Sequence, residues 1–384
     1  MTKKLILLIV LTCILLGMIG FIIYDHFASQ NNPLPAPTEA TAPPPVTEAP
    51  TEPPTEAPTE APTEEPTEAP TEPEPIEYTL TFVGDCCLAN LKGWSTSAYF
   101  IGTVGDDYTY PFSNVQDYFA TDDCTFINLE CALTDSGNSA SKQFVFKGPT
   151  NYTQIMTLGN VEFANVVNNH SKDYGQEGYT DTLAALDEAD LLYVEQRDTL
   201  VFTTDSGLTI GVYADLYPED IDGLDEKIAA MRENGAEIVI VIMHWGQEYF
   251  YKPNDTQTEL GHAAIDAGAD IVYGTHPHVL QPVEAYNGGV IYYSLGNFSF
   301  GGHTNPEDKD SAIIQQTVIR EPDGNVHLGE MTIIPCSLSS VSHTNDFKPT
   351  PLEPDTNSYD RVLSKLDGTY DKTKISISSR PELG

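Results

Sequence analysis

Apolar runs along this 384-residue chain end repeatedly in the same kinds of residue. Tyr78 to Val83 runs into Gly84-Asp85, and Thr125 to Asn128 into Leu129-Glu130. Phe163 to Val167 runs into Asn168-Asn169-His170, and Ile238 to Met243 into His244-Trp245-Gly246 with Glu248 beyond. Asp270 to Tyr273 runs into Gly274-Thr275-His276-Pro277-His278, and a later run gives Ser294-Leu295-Gly296-Asn297-Phe298. Taken singly these signals are weak. An Asp after a Gly is ordinarily a turn or a helix cap. A lone histidine behind a strand is ordinarily a core residue, Asn168-Asn169 reads as a turn, and Glu130 reads as a surface charge. His276-Pro277-His278 is stronger, because two imidazoles flanking a rigid proline have few structural uses. Jointly, one Asp, one Glu, one Asn and several His form a mixed oxygen and nitrogen donor set suited to Mn²⁺, Zn²⁺ or Fe. Two such ions about 3.5–4 Å apart, sharing a carboxylate, would polarise a substrate and lower the pKa of bridging water.

Such a set works only if one edge of a sheet gathers it. The first five of these runs, together with Thr209 to Ala214, read as buried strands, since short continuous apolar stretches suit strands covered on both faces. Gly178 to Ala189, Gly223 to Asn234 and Thr256 to Ala267 read as helices between them. Val290 to Ser294, Ile313 to Arg320 and Val326 to Ile334 read as a closing run of strands. This predicts a layered α/β domain, and open α/β sheets place their sites at the carboxyl ends of strands, where the clusters lie.

At these clusters the sequence resembles the poly-gamma-glutamate capsule-synthesis protein CapA family, in the family's motif order, from about Tyr78 to Ile334; Asp173-Tyr174-Gly175 after His170 belongs to the same pattern. That family is similar in fold to the calcineurin-like metallophosphatases, so the resemblance implies a four-layer αββα sandwich around two divalent ions. Carried over by motif, Asp85 and His278 resemble ligands of the first metal. Glu130 resembles the bridging carboxylate, and Asn169, His244 and His276 ligands of the second metal. His170 resembles the histidine that protonates a leaving group or steadies the transition state. Asn297, with Cys87, Asn128 and Glu248, falls on the site wall. Two positions depart from the phosphatase pattern. Cys87 stands where a histidine is expected, and could supply a thiolate. Glu130 stands in place of Asp, and its longer arm shifts or loosens a metal.

The rest of the chain bears on location. Residues 1–29 carry Lys3 and Lys4 and then an uncharged run, Leu5 to Tyr24. As a helix that run is roughly 30 Å long, one hydrocarbon thickness. With Asp25 behind it, it predicts an uncleaved single-pass anchor with the N-terminus in the cytoplasm and the main domain outside the cell. A cleaved signal peptide is the rival, but Phe27-Ala28-Ser29 is a poor cleavage site. Residues 30–77 hold 15 of the 28 prolines and 11 of the 57 acidic residues, with no Lys or Arg. They predict a disordered Pro/Thr/Glu stalk, extended by proline stiffness and like-charge repulsion. Residues 78–344 form the domain, and 345–384 read as a loose polar tail with one short helix near Tyr359 to Leu366. Six scattered cysteines are too few for a disulfide scaffold, although a bridge among Cys86, Cys87, Cys124 and Cys131 is open.

The formal charge of −39 excludes nucleic-acid binding through phosphate neutralisation. Three readings of function stay open. One is a surface enzyme that hydrolyses, transfers or releases an anionic polymer such as poly-gamma-glutamate. Another is a non-catalytic subunit of polymer assembly or export, working with capsule-synthesis membrane proteins. The third is a phosphoesterase of wall polymers or nucleotides, against which the scarcity of Lys and Arg near the motifs counts.

Overall fold

The computed structural model describes residues 73–373. The apolar run at Leu5 to Tyr24 and nearly all of the expected stalk lie outside the described residues. The last two stalk positions, Ile76 and Glu77, already belong to the first strand. Among the described residues no helix is long and apolar enough to cross a membrane.

In chain order the strands are β1 (Ile76–Cys87), β2 (Asn90–Leu91), β3 (Cys124–Leu129), β4 (Ala132–Leu133), β5 (Phe146–Gly148), β6 (Phe163–Asn165), β7 (Thr199–Thr203) and β8 (Thr209–Leu216). They continue as β9 (Ile238–His244), β10 (Ile271–Thr275), β11 (Val283–Tyr286), β12 (Gly289–Tyr292), β13 (Asn297–Phe300), β14 (Asp310–Arg320), β15 (Val326–Ser337) and β16 (Thr350–Pro351). One sheet runs β16-β15-β14-β1-β3-β6, with β13 alongside the end of β1; a second runs β11-β12-β10-β9-β8-β7. In the first sheet β1, β3 and β6 are parallel, and β14 and β15 are antiparallel additions. In the second, β8, β9, β10 and β12 are parallel, with β7 and β11 as antiparallel edges. A small third sheet joins β2, β5 and β4.

The apolar runs explain the layers. Successive residues of a strand face opposite sides of its sheet. In β9, Ile238, Ile240 and Ile242 enter a core with Leu80 and Phe82 of β1 and Phe126 of β3. Val239, Val241 and Met243, the residues between, enter a second core with Leu224, Ile228 and Met231 of the helix Leu224–Glu233. That core also holds Leu260, Ala264 and Ile265 of the helix Asp255–Asp266, which opens on a capping box between Asn254 and Gln257. On the far side of the first sheet, Val83 and Ile127 pack with Ile155 and Met156 of the helix Thr153–Leu158 and Leu186 of the helix Gly175–Glu188. Burying each such side chain contributes about 1.5–3 kcal/mol. Helices therefore cover both outer faces of two packed sheets in a layered, mixed α/β fold.

Two expectations change. The described part of the C-terminal stretch is not loose. Phe347 is buried in one core, and Val362 and Leu366 of the helix Asn357–Leu366 are buried in the inter-sheet core. β16 extends the first sheet, and Lys365 is buried between Asp308 and Asp310. The five described cysteines, Cys86, Cys87, Cys124, Cys131 and Cys336, are free buried thiols, with no bridge among the first four.

Candidate metal centre

The carboxyl ends of β1 and β3 in one sheet and of β9 and β10 in the other meet at one edge. Register sets the pairs: Asp85 lies beside Asn128 and beside Asn297, and Thr275 beside His244. Two glycines permit the approach. A Cβ on Gly84 would meet the Gly296 carbonyl oxygen at 2.2 Å, and one on Gly274 would meet the Tyr293 carbonyl oxygen at 2.2 Å. The Asp85 N–H donates to that Gly296 carbonyl at 2.7 Å, which ties the first motif to the last.

All six expected ligands are brought together. Asp85 Oδ2 lies 3.1 Å from His278 Nδ1, and Asp85 Oδ1 accepts from Asn128 Nδ2 at 2.9 Å. Asn169 Oδ1 lies 3.1 Å from His244 Nε2. Between these two groups stands Glu130, its Oε1 3.7 Å from His278 Nε2 and 3.8 Å from His244 Nε2. Glu130, His276 and His278 each offer a ligand atom within 4.8 Å of the others. Asp85, Glu130 and His244 are completely buried, and the backbone carries strain at the histidines, with φ of 97° at His276 and 58° at His278. Positive φ at non-glycine residues costs about 1–3 kcal/mol and persists where the surroundings over-determine it.

Two buried atoms of this set, Glu130 Oε1 and His276 Nδ1, make no hydrogen bond, and Asp85 Oδ2 has only its ion pair with His278. Buried polar groups are normally paired, and an orphaned one costs about 1–3 kcal/mol. Two orphans of ligand type beside a carboxylate held only by one histidine are what a cation-binding donor set presents, so the residues fit a divalent metal. Electrostatics agree. Burial pushes the Glu130 carboxyl well above the usual carboxylate range; His278 draws it back, and Asp85 and Glu248 push it further. Burial works against charge on His278, but Glu130 and Asp85 overcome it and hold its pKa well above the ordinary imidazole value. Both groups are thus biased toward their protonated forms, against which an arriving cation must compete. Burial pushes His244 well below its ordinary value and His276 down to about 3, with neighbouring imidazoles adding to both shifts. Those two rings are neutral, the state that ligates.

His170 stands beside the ligands. Its Nδ1 lies 2.8 Å from Asp173 Oδ2, and its ring packs 4.5 Å from that of Phe146. Asp173 is fully buried, accepts from the Phe146 N–H at 2.6 Å and pairs with Lys142 Nζ at 2.5 Å. Lys142 Nζ also donates to the Asn169 carbonyl at 2.8 Å. The scarcity of basic residues seen along the motifs is therefore corrected in space: Lys142, from a loop 28 residues before His170, reaches the centre. A lone lysine in a polar loop gives no sequence signal. Tyr217 was missed as well. It follows β8, a strand with no motif, and its hydroxyl lies 3.3 Å from His276 Nε2.

The expected wall residues divide. Asn128 is an internal strut, accepting at Oδ1 from Asn165 at 2.8 Å and Asn168 at 3.1 Å. Asn297 Oδ1 lies 3.0 Å from His278 Nδ1, and Asn297 opens β13 rather than standing in a turn. Glu248 is half-buried and adds negative potential at Glu130 and Tyr217. Cys87 is buried in the apolar core with Cys131, and burial pushes its thiol pKa well above the ordinary value. That environment disfavours the thiolate expected of it.

Comparisons with known proteins agree with the motif pattern. The family profile described as bacterial capsule synthesis protein PGA_cap matches residues 79–217 and 196–302. The chain is 33% identical over 248 residues to the PGA biosynthesis protein CapA of Bacillus subtilis, covering 58% of this chain and 64% of that protein. It is 32% identical over 267 residues to the capsule biosynthesis protein CapA of Bacillus anthracis, covering 62% and 63%. A probable polyglutamine synthesis accessory protein of Mycobacterium tuberculosis is 28% identical over 276 residues, covering 61% and 72%. The chain thus spans a little under two thirds of the length of its Bacillus relatives. Among solved structures, an NAD nucleotidase of Haemophilus influenzae aligns with a TM-score of 0.40 at 12% identity, over 77% of this chain and 63% of that one. A purple acid phosphatase of yellow lupin aligns at 0.34 and 11%, over 67% and 53%. Likenesses this distant carry no weight in the argument. The profile match and the order of the strand-end motifs decide it: the chain belongs to the bacterial capsule synthesis protein family.

Proposed function

We propose that this domain is a metal-dependent hydrolase or transferase of metallophosphatase type acting on an anionic capsule polymer, with poly-gamma-glutamate as the substrate class that the relatives' names suggest. The observation that carries the reading is the pair of orphaned buried ligand atoms on Glu130 and His276 beside the buried Asp85 carboxylate. Asp85 and His278 would hold one ion, Asn169, His244 and His276 a second, and Glu130 would bridge. Divalent ions bound there would supply Lewis acidity toward water and toward the substrate's carbonyl or phosphoryl oxygen.

The chain's own residues do the rest. His170 Nδ1–H donates to Asp173, which fixes the ring and leaves Nε2 to take a proton or return it to a leaving group. Asp173 also steadies the imidazolium while it lasts, and Lys142 and the Phe146 N–H hold Asp173 in place. Burial lowers the His170 pKa against the pull of Asp173, so the ring starts neutral at pH 7. Around them Phe146, Tyr217, Tyr249 and Phe300 pack against the histidines. Such rings limit water access without adding charge.

The N-terminal run and the stalk support a surface location, with Leu5 to Tyr24 as a single-pass anchor and the domain outside the cell. The accessory role in the name of the mycobacterial relative favours a second reading, a non-catalytic unit that binds the polymer through the same ions. Metal analysis of the purified full chain tests the centre. One to two divalent ions per chain are expected, fewer in His276→Ala and His278→Ala, and no change in Asp135→Asn. Unchanged metal content in the double histidine variant would sink the site. Glu130→Ala should abolish polymer output on either reading, whereas His170→Ala should depress it only if the protein is an enzyme.

A further inference from the structure

His276 and Tyr217 both hold left-handed backbone conformations, with φ of 97° and 47°. Non-glycine residues hold such angles where something fixes them. Tyr217 is fixed on one side by its backbone N–H, which donates to the His244 carbonyl at 2.9 Å, at the end of β9. On the other side its hydroxyl lies 3.3 Å from His276 Nε2. Its ring stands edge-on to that imidazole, at 5.1 Å and 84°, and 5.9 Å from the ring of His244. With Nε2 taken by the phenol, the nitrogen left for ligation is Nδ1, which is buried and has no partner.

His244 repeats the arrangement with the opposite nitrogen. Its Nδ1 lies 2.9 Å from Thr275 Oγ1, leaving Nε2 near Asn169 and Glu130. Each imidazole expected at the second ion thus spends one nitrogen on a hydroxyl. A ligating histidine commonly donates its other N–H to such a partner, which fixes the tautomer and the ring plane.

We propose that Tyr217 is a positioning residue of the metal centre: its hydroxyl accepts the Nε2–H of His276 and so holds Nδ1 unprotonated for the ion. The inference rests on reading the cluster as a metal centre. Tyr217 is 46% exposed, so Tyr217→Phe removes one oxygen without opening a cavity, and the only bond it takes from a buried group is the one to His276 Nε2.

The test uses the full chain, wild type and Tyr217→Phe, stripped of metal and titrated with Zn²⁺ against a competing chelator. Losing the partner of a ligating histidine costs about 10–100-fold in metal affinity. That loss is expected here, in a metal-free protein that still folds and melts cooperatively. Ring ¹⁵N spectra of the metal-free protein supply a second readout. His276 should be protonated at Nε2 in the wild type and should lose that preference in the variant. Equal Zn²⁺ affinity in the two proteins would overturn the proposal. So would an unchanged His276 ring pattern, or a lower melting temperature with unchanged affinity, which would mark a packing role. A wild type that takes up no Zn²⁺ would overturn the metal reading itself, and the ring spectra would still decide what Tyr217 does.

Discussion

Replacing Glu130 with Gln separates binding from folding, because the structure predicts opposite effects on the two. The side chain is completely buried, Oε1 has no hydrogen-bond partner, and Oε2 reaches only Asn128 Nδ2 at 3.4 Å. Without a cation, an ionised carboxylate there is a net cost to the fold. Glutamine keeps the volume and removes the charge, so the metal-free variant should be more stable than the wild type by about 1–3 kcal/mol at pH 8. A domain of this size gains about 2 °C or more in melting temperature per kcal/mol. The gain should shrink toward pH 5. As pH falls, the folded protein takes up the Glu130 proton before the unfolded chain does and so avoids the cost, since burial raises its pKa above the ordinary 4.5. The same substitution removes the carboxylate between the two ligand groups, so metal content should fall by at least one ion per chain. Thermal melts at both pH values, with metal analysis, check both halves. A variant that melts lower than the metal-free wild type at pH 8, yet keeps full metal content, would refute the reasoning. Glu130 would then be a structural residue satisfied by its protein neighbours.

His170→Ala should retain metal and most of its stability, because Asp173 keeps Lys142 and the Phe146 N–H as partners; polymer cleavage or transfer should drop by at least about tenfold. Glu130 and His278 both hold protons in the fold to higher pH than they do unfolded. From about pH 4.5 up through their folded pKa values the metal-free fold therefore binds the more protons, and its stability should fall as pH rises. Because a cation competes with protons at Glu130 and His278, metal affinity should rise with pH, and calorimetry in buffers of different ionisation enthalpy should find protons released on binding. Protease added to intact cells should remove the domain and leave a short membrane-bound stub; a protected domain would reject the proposed orientation.

Much of the site was legible because its residues terminate strands that must be buried. In β9 the unbroken apolar run could serve only a strand covered on both faces, so His244 had to emerge at a sheet edge. The same logic reached Asp85, Glu130, Asn169, His276 and His278. Lys142 and Tyr217 were not legible. One sits in a polar loop and the other follows a strand without a motif, and neither position repeats at the period of a helix or strand. The C-terminal stretch was misread for a related reason. Phe347, Val362 and Leu366 are too sparse to look like core residues, yet each finds a pocket in a core that other segments have already built.

The sequence by itself determined which residue types were available, the strand ends on which they stood, and the acidic charge of the chain. These follow from local patterning and composition, which a linear chain carries. Only the tertiary structure decided that two sheets bring Asp85 and His278 within 3.1 Å, 193 residues apart in the chain, and place Glu130 between them and His244. It alone showed which nitrogen of each imidazole is spent on a hydroxyl and which thiols lie in apolar surroundings. Hydrogen-bond partners and burial are properties of packing across long chain separations, and packing is settled only when the layers close.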